Sequence, residues 1–121
     1  MNNKRVIKKY IHQWMNMLGL GWWNVTVNYY DDPATIIQLF ASAESDGIVI
    51  AKVSADWKYG SATLSINLPA FEGRTEDDIE RIVVHELVHI LVNEMREGEI
   101  HHEERVVTGL TKAFLWTRYL K

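Results

Sequence analysis

The sequence predicts an α+β fold, with helices packed on one face of a small, mostly antiparallel three-stranded sheet. Apolar residues recur at helical spacing near the start, after the middle and at the end of the chain. Between the first two of these helices, three segments show the alternation or the β-branched content of strands. A chain of 121 residues can bury one modest core but not two, so residues 1–121 are expected to form a single domain.

Residues 4–18 form the first predicted helix, and Gly19 and Gly21 are placed to end it. Its apolar positions are Ile7, Tyr10, Ile11, Trp14 and Leu18. Residues 22–30 follow as a strand, because apolar and polar side chains alternate along them. The face turned to the core would carry Trp23, Val25, Val27 and Tyr29.

Residues 31–47 are the least regular stretch of the chain. Asp32 followed by Pro33 resembles a helix N-cap with proline at the first helical position. The apolar stripe of such a helix would be Ile36, Ile37, Phe40 and Ala41. A short helix covering the sheet is favoured here over a mobile flap above a cleft.

Residues 48–55 and 61–68 form the two remaining strands, joined as a hairpin by a turn at residues 57–60. The first is rich in β-branched residues, and the second alternates without interruption. A loop at residues 69–74 then leads to the next helix.

That helix is predicted to begin at Thr75, where Asp78 completes a capping pattern and the first-turn acids suit the positive end of the helix dipole. It continues through the run His85-Glu86-Leu87-Val88-His89, which matches the helix motif of zinc proteases. Residues four apart lie on one face of a helix, so His85 and His89 can bind a single cation. Glu86, one position round, is placed to take a proton from a water molecule held by the metal.

A catalytic zinc ion usually has three protein ligands and an open position, so a third ligand must come from elsewhere. The last predicted helix begins with Glu103 and Glu104. By helical periodicity, Glu103 lies at the centre of the apolar face of this helix and Glu104 lies at the edge of that face. Periodicity therefore favours Glu103. For either to reach the metal, the motif helix must end around residues 93–95. His101 and His102 are substitute candidates.

The composition restricts the other chemistries that the chain can support. There is no cysteine, so disulfides and thiolate metal sites are excluded, and histidine, aspartate or glutamate must hold any metal. A net charge of −3 gives no general attraction to nucleic acid or to an anionic membrane. No apolar run reaches membrane-spanning length and no signal-peptide pattern is present, so a cytoplasmic location is the expected default.

The chain resembles the small phage- and prophage-encoded zinc metallopeptidases, minimal relatives of the thermolysin-like and SprT-like proteases. The likeness rests on the motif at residues 85–89 and on the final run at 104–111, supported by the tryptophan-bearing first helix and the hairpin. It implies a minimal zincin-like fold of the gluzincin type, Zn²⁺ as cofactor and a peptide or protein substrate. It also implies Glu104 as the third ligand, with Glu103 as close second. Glu94 stands where the SprT-like pattern has a histidine.

The same resemblance places the hairpin at the lip of the cleft, where an extended substrate would pair with the strand at residues 61–68. Substrate contacts would then include Tyr59, Ser61 and Thr63. Tyr59 or His102 would donate a hydrogen bond to the oxyanion that forms during hydrolysis.

The predicted function is hydrolysis of peptide bonds by a metal-activated water molecule, with Glu86 as general base. The alternative is a catalytically silent zinc-binding module within a phage or prophage complex. A third hypothesis, an interaction domain whose surface is built from tryptophans, is less favoured because the tryptophans occupy core-like positions.

Overall fold

The computed structural model describes residues 3–40, 49–56, 58–93 and 103–118, which contain four α-helices and three β-strands. The helices are α1 (Asn3–Met17), α2 (Pro33–Phe40), α3 (Glu76–Leu91) and α4 (Glu103–Arg118). The strands are β1 (Asn24–Tyr30), β2 (Ala51–Asp56) and β3 (Ser61–Asn67), and a 3₁₀ turn at Leu68–Phe71 follows β3. The α+β class is confirmed, and the predicted helix after Asp32 is present as α2. The rest of that segment, residues 41–48, lies outside the described residues.

The sheet is mixed, with the strand order β1-β3-β2. The expected hairpin is confirmed, since β2 and β3 are antiparallel and Val53 lies opposite Leu64. β1, however, runs parallel to β3, with Val27 opposite Leu64. The expectation of a mostly antiparallel sheet is therefore not met, because one of its two pairings is parallel. Alternation along a strand fixes which side chains are buried but not which neighbour the strand takes or in which direction.

Helices α1 and α3 pack together over the apolar face of the sheet. The core they share with the strands includes Ile7, Ile11, Trp14, Leu64, Ile66, Val83, Leu87 and Ile90. Within it, the indole N–H of Trp14 donates a hydrogen bond of 2.7 Å to a carboxyl oxygen of Glu80, and both side chains are buried. A buried polar group of this kind is costly unless it is bonded, so this contact helps fix α1 against α3.

Helix α2 contacts the opposite, polar face of the sheet, so the helices do not all lie on one side. The ammonium group of Lys52 on β2 donates a hydrogen bond of 2.6 Å to the backbone oxygen of Leu39 in α2. Ser65 and Asn67 of β3, which share a face with Lys52, are buried. No helix among the described residues has the length and apolar character needed to cross a membrane.

The tryptophans divide between core and surface. Trp14 and Trp23 are buried, as their positions in a helix and a strand predict. Trp22 and Trp116 are instead exposed, by 71% and 68%, so burial in the core does not account for them. Trp57 lies outside the described residues.

Gly60, in the turn before β3, is expected to tolerate no side chain. Its φ is +60°, and an added Cβ would lie 2.7 Å from a ring carbon of Trp22. We expect Gly60→Ala to lower the free energy of unfolding by about 1–3 kcal/mol, measured by urea denaturation. The matched control is Gly109→Ala in α4, where the added Cβ meets nothing within 4 Å and helix propensity predicts a gain of up to about 1 kcal/mol. Equal effects of the two substitutions would contradict this account of Gly60.

Candidate metal centre

His85 and His89 lie one turn apart on α3, and their ring centroids are 5.1 Å apart. α3 begins where predicted, because Thr75 accepts a hydrogen bond of 3.1 Å from the backbone N–H of Asp78. The buried residues of α3 hold the helix against the core and leave the two imidazoles at its edge, with side chains 23% and 11% exposed.

The carboxylate of Glu104, in the first turn of α4, meets both imidazoles. One of its oxygens lies 3.1 Å from Nε2 of His85 and the other lies 2.7 Å from Nε2 of His89. The three groups offer ligand atoms within 4.8 Å of one another. Ligands about 2.0–2.2 Å from one tetrahedral zinc ion would lie roughly 3.4 Å apart, so small side-chain movements would bring these atoms to a shared metal. Two nitrogens and one carboxylate oxygen are a donor set that suits Zn²⁺.

The early end of α3 makes this meeting geometrically feasible. The helix ends at Leu91, with Val92 as its C-cap, two residues before the expected range of 93–95. α4 then packs against α3 and starts at Glu103, which places Glu104 beside the motif. Residues 94–102 lie outside the described residues, and with them the candidates Glu94, His101 and His102.

Glu103, the alternative third ligand, contacts the far side of His89. Its carboxylate oxygen lies 2.6 Å from Nδ1, and its side chain is 13% exposed, against 74% for Glu104. A carboxylate at Nδ1 favours the tautomer that carries the proton on this nitrogen and leaves the lone pair of Nε2 for a metal. Periodicity thus identified the more buried of the two glutamates, while the exposed one lies among the motif histidines.

Burial sets the protonation of the remaining site residues. It raises the pKa of Glu86 from its ordinary value near 4.5 to about 8, and the neighbouring charge of Glu104 adds to this rise. Burial also lowers the pKa of His85, although Glu104 partly opposes the shift. The neutral imidazole, which is the form that binds metals, is therefore favoured at His85.

The site opens into a cleft of about 400 Å³ between α3 and the edge strand β2. Its lining residues are Val49, Ala51, Lys52, Val53, Ala55, His85, Glu86, His89, Asn93 and Glu104. Asn67 donates its backbone N–H to the oxygen of Ile50, so alternation turns the backbone groups of residues 51, 53 and 55 away from β3. In the sheet that the described residues form, no strand lies on the outer edge of β2, and this edge presents its N–H and C=O groups beside the cleft.

Three residues predicted to contact substrate lie away from this cleft. Tyr59 is 82% exposed and does not line it. Ser61 and Thr63 line a separate shallow surface on the polar face of the sheet. β3 cannot pair with an added strand, because β1 and β2 occupy both of its edges. This corrects the assignment of residues 61–68 as the template for substrate, since sequence alternation does not show whether a strand is central.

Comparisons of the chain with protein-family models, with curated proteins and with solved structures gave no match. The chemistry of this site therefore rests on the groups that line the cleft. Those groups are two imidazoles, the Glu104 carboxylate between them and the Glu86 carboxyl group with its raised pKa. Glu103 contacts the far side of the His89 ring. The arrangement can hold a divalent cation next to a base.

Glu103→Gln is expected to weaken zinc binding about 10–100-fold without changing its stoichiometry, because the amide supports the imidazole of His89 less well than a carboxylate does. Competition titration with a chromophoric chelator measures the affinity. Glu72→Gln, an exposed glutamate outside the cleft, is the matched control and should bind zinc as the native chain does. Unchanged affinity in Glu103→Gln would show that the contact with His89 does not support the site.

Proposed function

We propose that the chain is a zinc-dependent peptidase with a minimal zincin-like fold. His85, His89 and Glu104 hold the metal, and Glu86 is the general base. The observation that carries this proposal is the convergence of Glu104 on both motif histidines, at 3.1 Å and 2.7 Å, from a helix that is remote in sequence. A structural zinc site needs no base. The presence of Glu86 in the same cleft therefore favours catalysis over a silent module.

A zinc ion held by these residues would polarise the scissile carbonyl and lower the pKa of a water molecule from about 15.7 towards 7. A bound cation favours the ionised form of Glu86 and so opposes the rise in pKa that burial causes. The ionised carboxylate would take one proton from the attacking water as the water oxygen bonds to the carbonyl carbon. It would then donate this proton to the amide nitrogen as the C–N bond breaks and the amine leaves. Glu103 keeps the ring of His89 oriented during these steps.

The free edge of β2 suits an extended peptide. Its outward N–H and C=O groups can pair with a substrate backbone, while side chains of the substrate enter the cleft. Ala51, Val53 and Ala55 line that side of the cleft with small apolar groups. A substrate strand paired there would pass between β2 and the motif helix, next to Glu86.

The proposal is tested by zinc analysis together with turnover of unstructured casein. We expect one zinc ion per chain and cleavage that stops when a chelator removes the metal and returns when zinc is added. His12→Ala, a variant of an exposed histidine on α1, should behave as the native chain. Zinc binding without turnover would reduce the proposal to the metal-binding module. Absence of zinc binding would remove the proposal altogether.

A further inference from the structure

A second groove, of about 440 Å³, lies at the opposite edge of the sheet from the metal centre, between α1 and β1. Its lining residues are Lys4, Lys8, Ile11, His12, Met15, Val25, Val27 and Tyr29. Three of them are basic residues, namely Lys4, Lys8 and His12. None is acidic, and the rest are apolar or aromatic. The charged residues that line the groove are therefore positive, although the chain as a whole has a net charge of −3.

The backbone of β1 faces this groove with an open edge. In the described sheet β1 has a neighbouring strand on one side only, where the N–H of Asn24 donates a hydrogen bond of 2.7 Å to the oxygen of Gly60. Alternation then turns the N–H and C=O groups of Val25, Val27 and Tyr29 to the open side. The residues whose side chains line the groove are thus the same residues whose backbone groups point outward.

The groove has a basic end and an apolar end. The ammonium groups of Lys4 and Lys8 lie 4.8 Å and 5.8 Å from the ring centre of Tyr29, near the end of β1. A short connection joins the end of α1 to the start of β1, so Met15 lies towards Val25 at the other end. An occupant would therefore meet apolar side chains beside the first half of β1 and positive charge beside the second.

From this geometry we propose that the groove docks an extended acidic segment of a partner protein as an added strand on β1. The segment bonds to the outward backbone groups of Val25, Val27 and Tyr29. Its side chains facing α1 are apolar near Met15 and carboxylates near Lys4 and Lys8. Nucleic acid fits less well, since half of the groove is apolar and the chain as a whole is negative. The site lies apart from the metal ligands, so it is independent of the peptidase proposal.

Synthetic peptides test the docking directly. The probe is an acetylated peptide in which serine alternates with a second residue type, which is valine in one half of the peptide and glutamate in the other half. Two versions are made, one with the valine half at the N-terminus and one with the glutamate half at the N-terminus. We expect one order to bind, to shift the amide NMR signals of Val25, Val27 and Tyr29, and to leave those of β2 unchanged. Replacing its glutamates by lysine should abolish binding. Two forms N-methylated at alternate residues should differ, because only one strand edge faces β1.

Charge reversal in the protein provides the matched pair of variants. Lys4→Glu/Lys8→Glu should lower the peptide affinity about tenfold or more, since like charges then face each other. Lys9→Glu/Lys112→Glu makes the same change in net charge outside the groove and should bind as the native chain does. Thermal denaturation verifies that both variants are folded. Equal binding by the two N-methylated forms, no loss on charge reversal, or tighter binding of single-stranded DNA or anionic vesicles would overturn the proposal.

Discussion

Glu86→Gln is expected to lower peptidase activity by at least about 10²-fold while leaving zinc bound. Glutamine keeps the shape of the side chain but cannot accept the proton of the attacking water, and general-base catalysis contributes about 10²–10⁴-fold. The measurement is casein turnover alongside zinc titration of the same samples. Glu72→Gln, which makes the same chemical change on an exposed side chain outside the cleft, should retain full activity.

The same substitution is expected to stabilise the metal-free protein at alkaline pH. The pKa of Glu86 is about 8 in the folded chain and near 4.5 when unfolded, so between these values the folded state binds the extra proton. Stability contributed by this group is therefore present at low pH and is lost as pH rises through 8. The lowered pKa of His85 has the opposite effect, because the unfolded state binds more protons near pH 6.5 and stability therefore rises with pH there. Glu86 is not among the groups that shift the pKa of His85, so this contribution is the same in the native chain and in Glu86→Gln and cancels in their difference.

In urea titrations of the chelated protein, the difference in unfolding free energy between Glu86→Gln and the native chain should rise by on the order of 2 kcal/mol from pH 6.5 to 8. A pH-independent difference would show that Glu86 is not held protonated by its surroundings. Full activity in the variant would remove Glu86 from the mechanism, whatever its effect on stability.

Zinc is expected to raise the melting temperature by on the order of 10–20 °C at a free concentration about 1,000 times its dissociation constant. A ligand that binds only the folded state adds about 4 kcal/mol under this condition. For a domain of this size each kcal/mol corresponds to about 3–6 °C. The chain has no cysteine, so the gain must come from the imidazole and carboxylate ligands.

His89→Ala removes one ligand together with its support from Glu103, and the zinc-induced rise should fall to a few degrees or vanish. His12→Ala removes an exposed histidine far from the motif and should preserve it. Differential scanning calorimetry with and without zinc measures both. A large zinc-induced rise that survives in His89→Ala would place the metal elsewhere in the chain.

The secondary structure was largely readable from local pattern. Alternation located β1 and β3, and Thr75 with Asp78 marked the start of α3 to the residue. These features depend on side-chain periodicity and on hydrogen bonds between near neighbours, both of which the sequence contains. The exposure of Trp22 was not foreseen, because an apolar residue at the entry to a strand can face either side.

The sequence did not predict the order of the strands in the sheet, and this order determines which strand borders the cleft. The alternation of residues 61–68 is the same whether the strand is central or at an edge. Only the pairing of β1 with β3 leaves β2 as the strand beside the motif. The alternation of Ser61 and Thr63 with the buried Ala62 and Leu64 puts them on the face away from α3, whatever the strand order. Small residues of β2 line the cleft instead, namely Ala51, Val53 and Ala55.

The sequence by itself determined the pair of histidines and the glutamate beside them, because spacing along one helix fixes which side chains share a face. Only the tertiary structure decided which position each of the two glutamates at the start of α4 takes. Glu103 contacts Nδ1 of His89, and Glu104 lies between both imidazole rings. The periodicity of apolar residues along a helix predicts which side chains are buried against the core. The direction of a carboxylate across two helices depends on where α3 ends and how α4 packs against it, which no local pattern encodes.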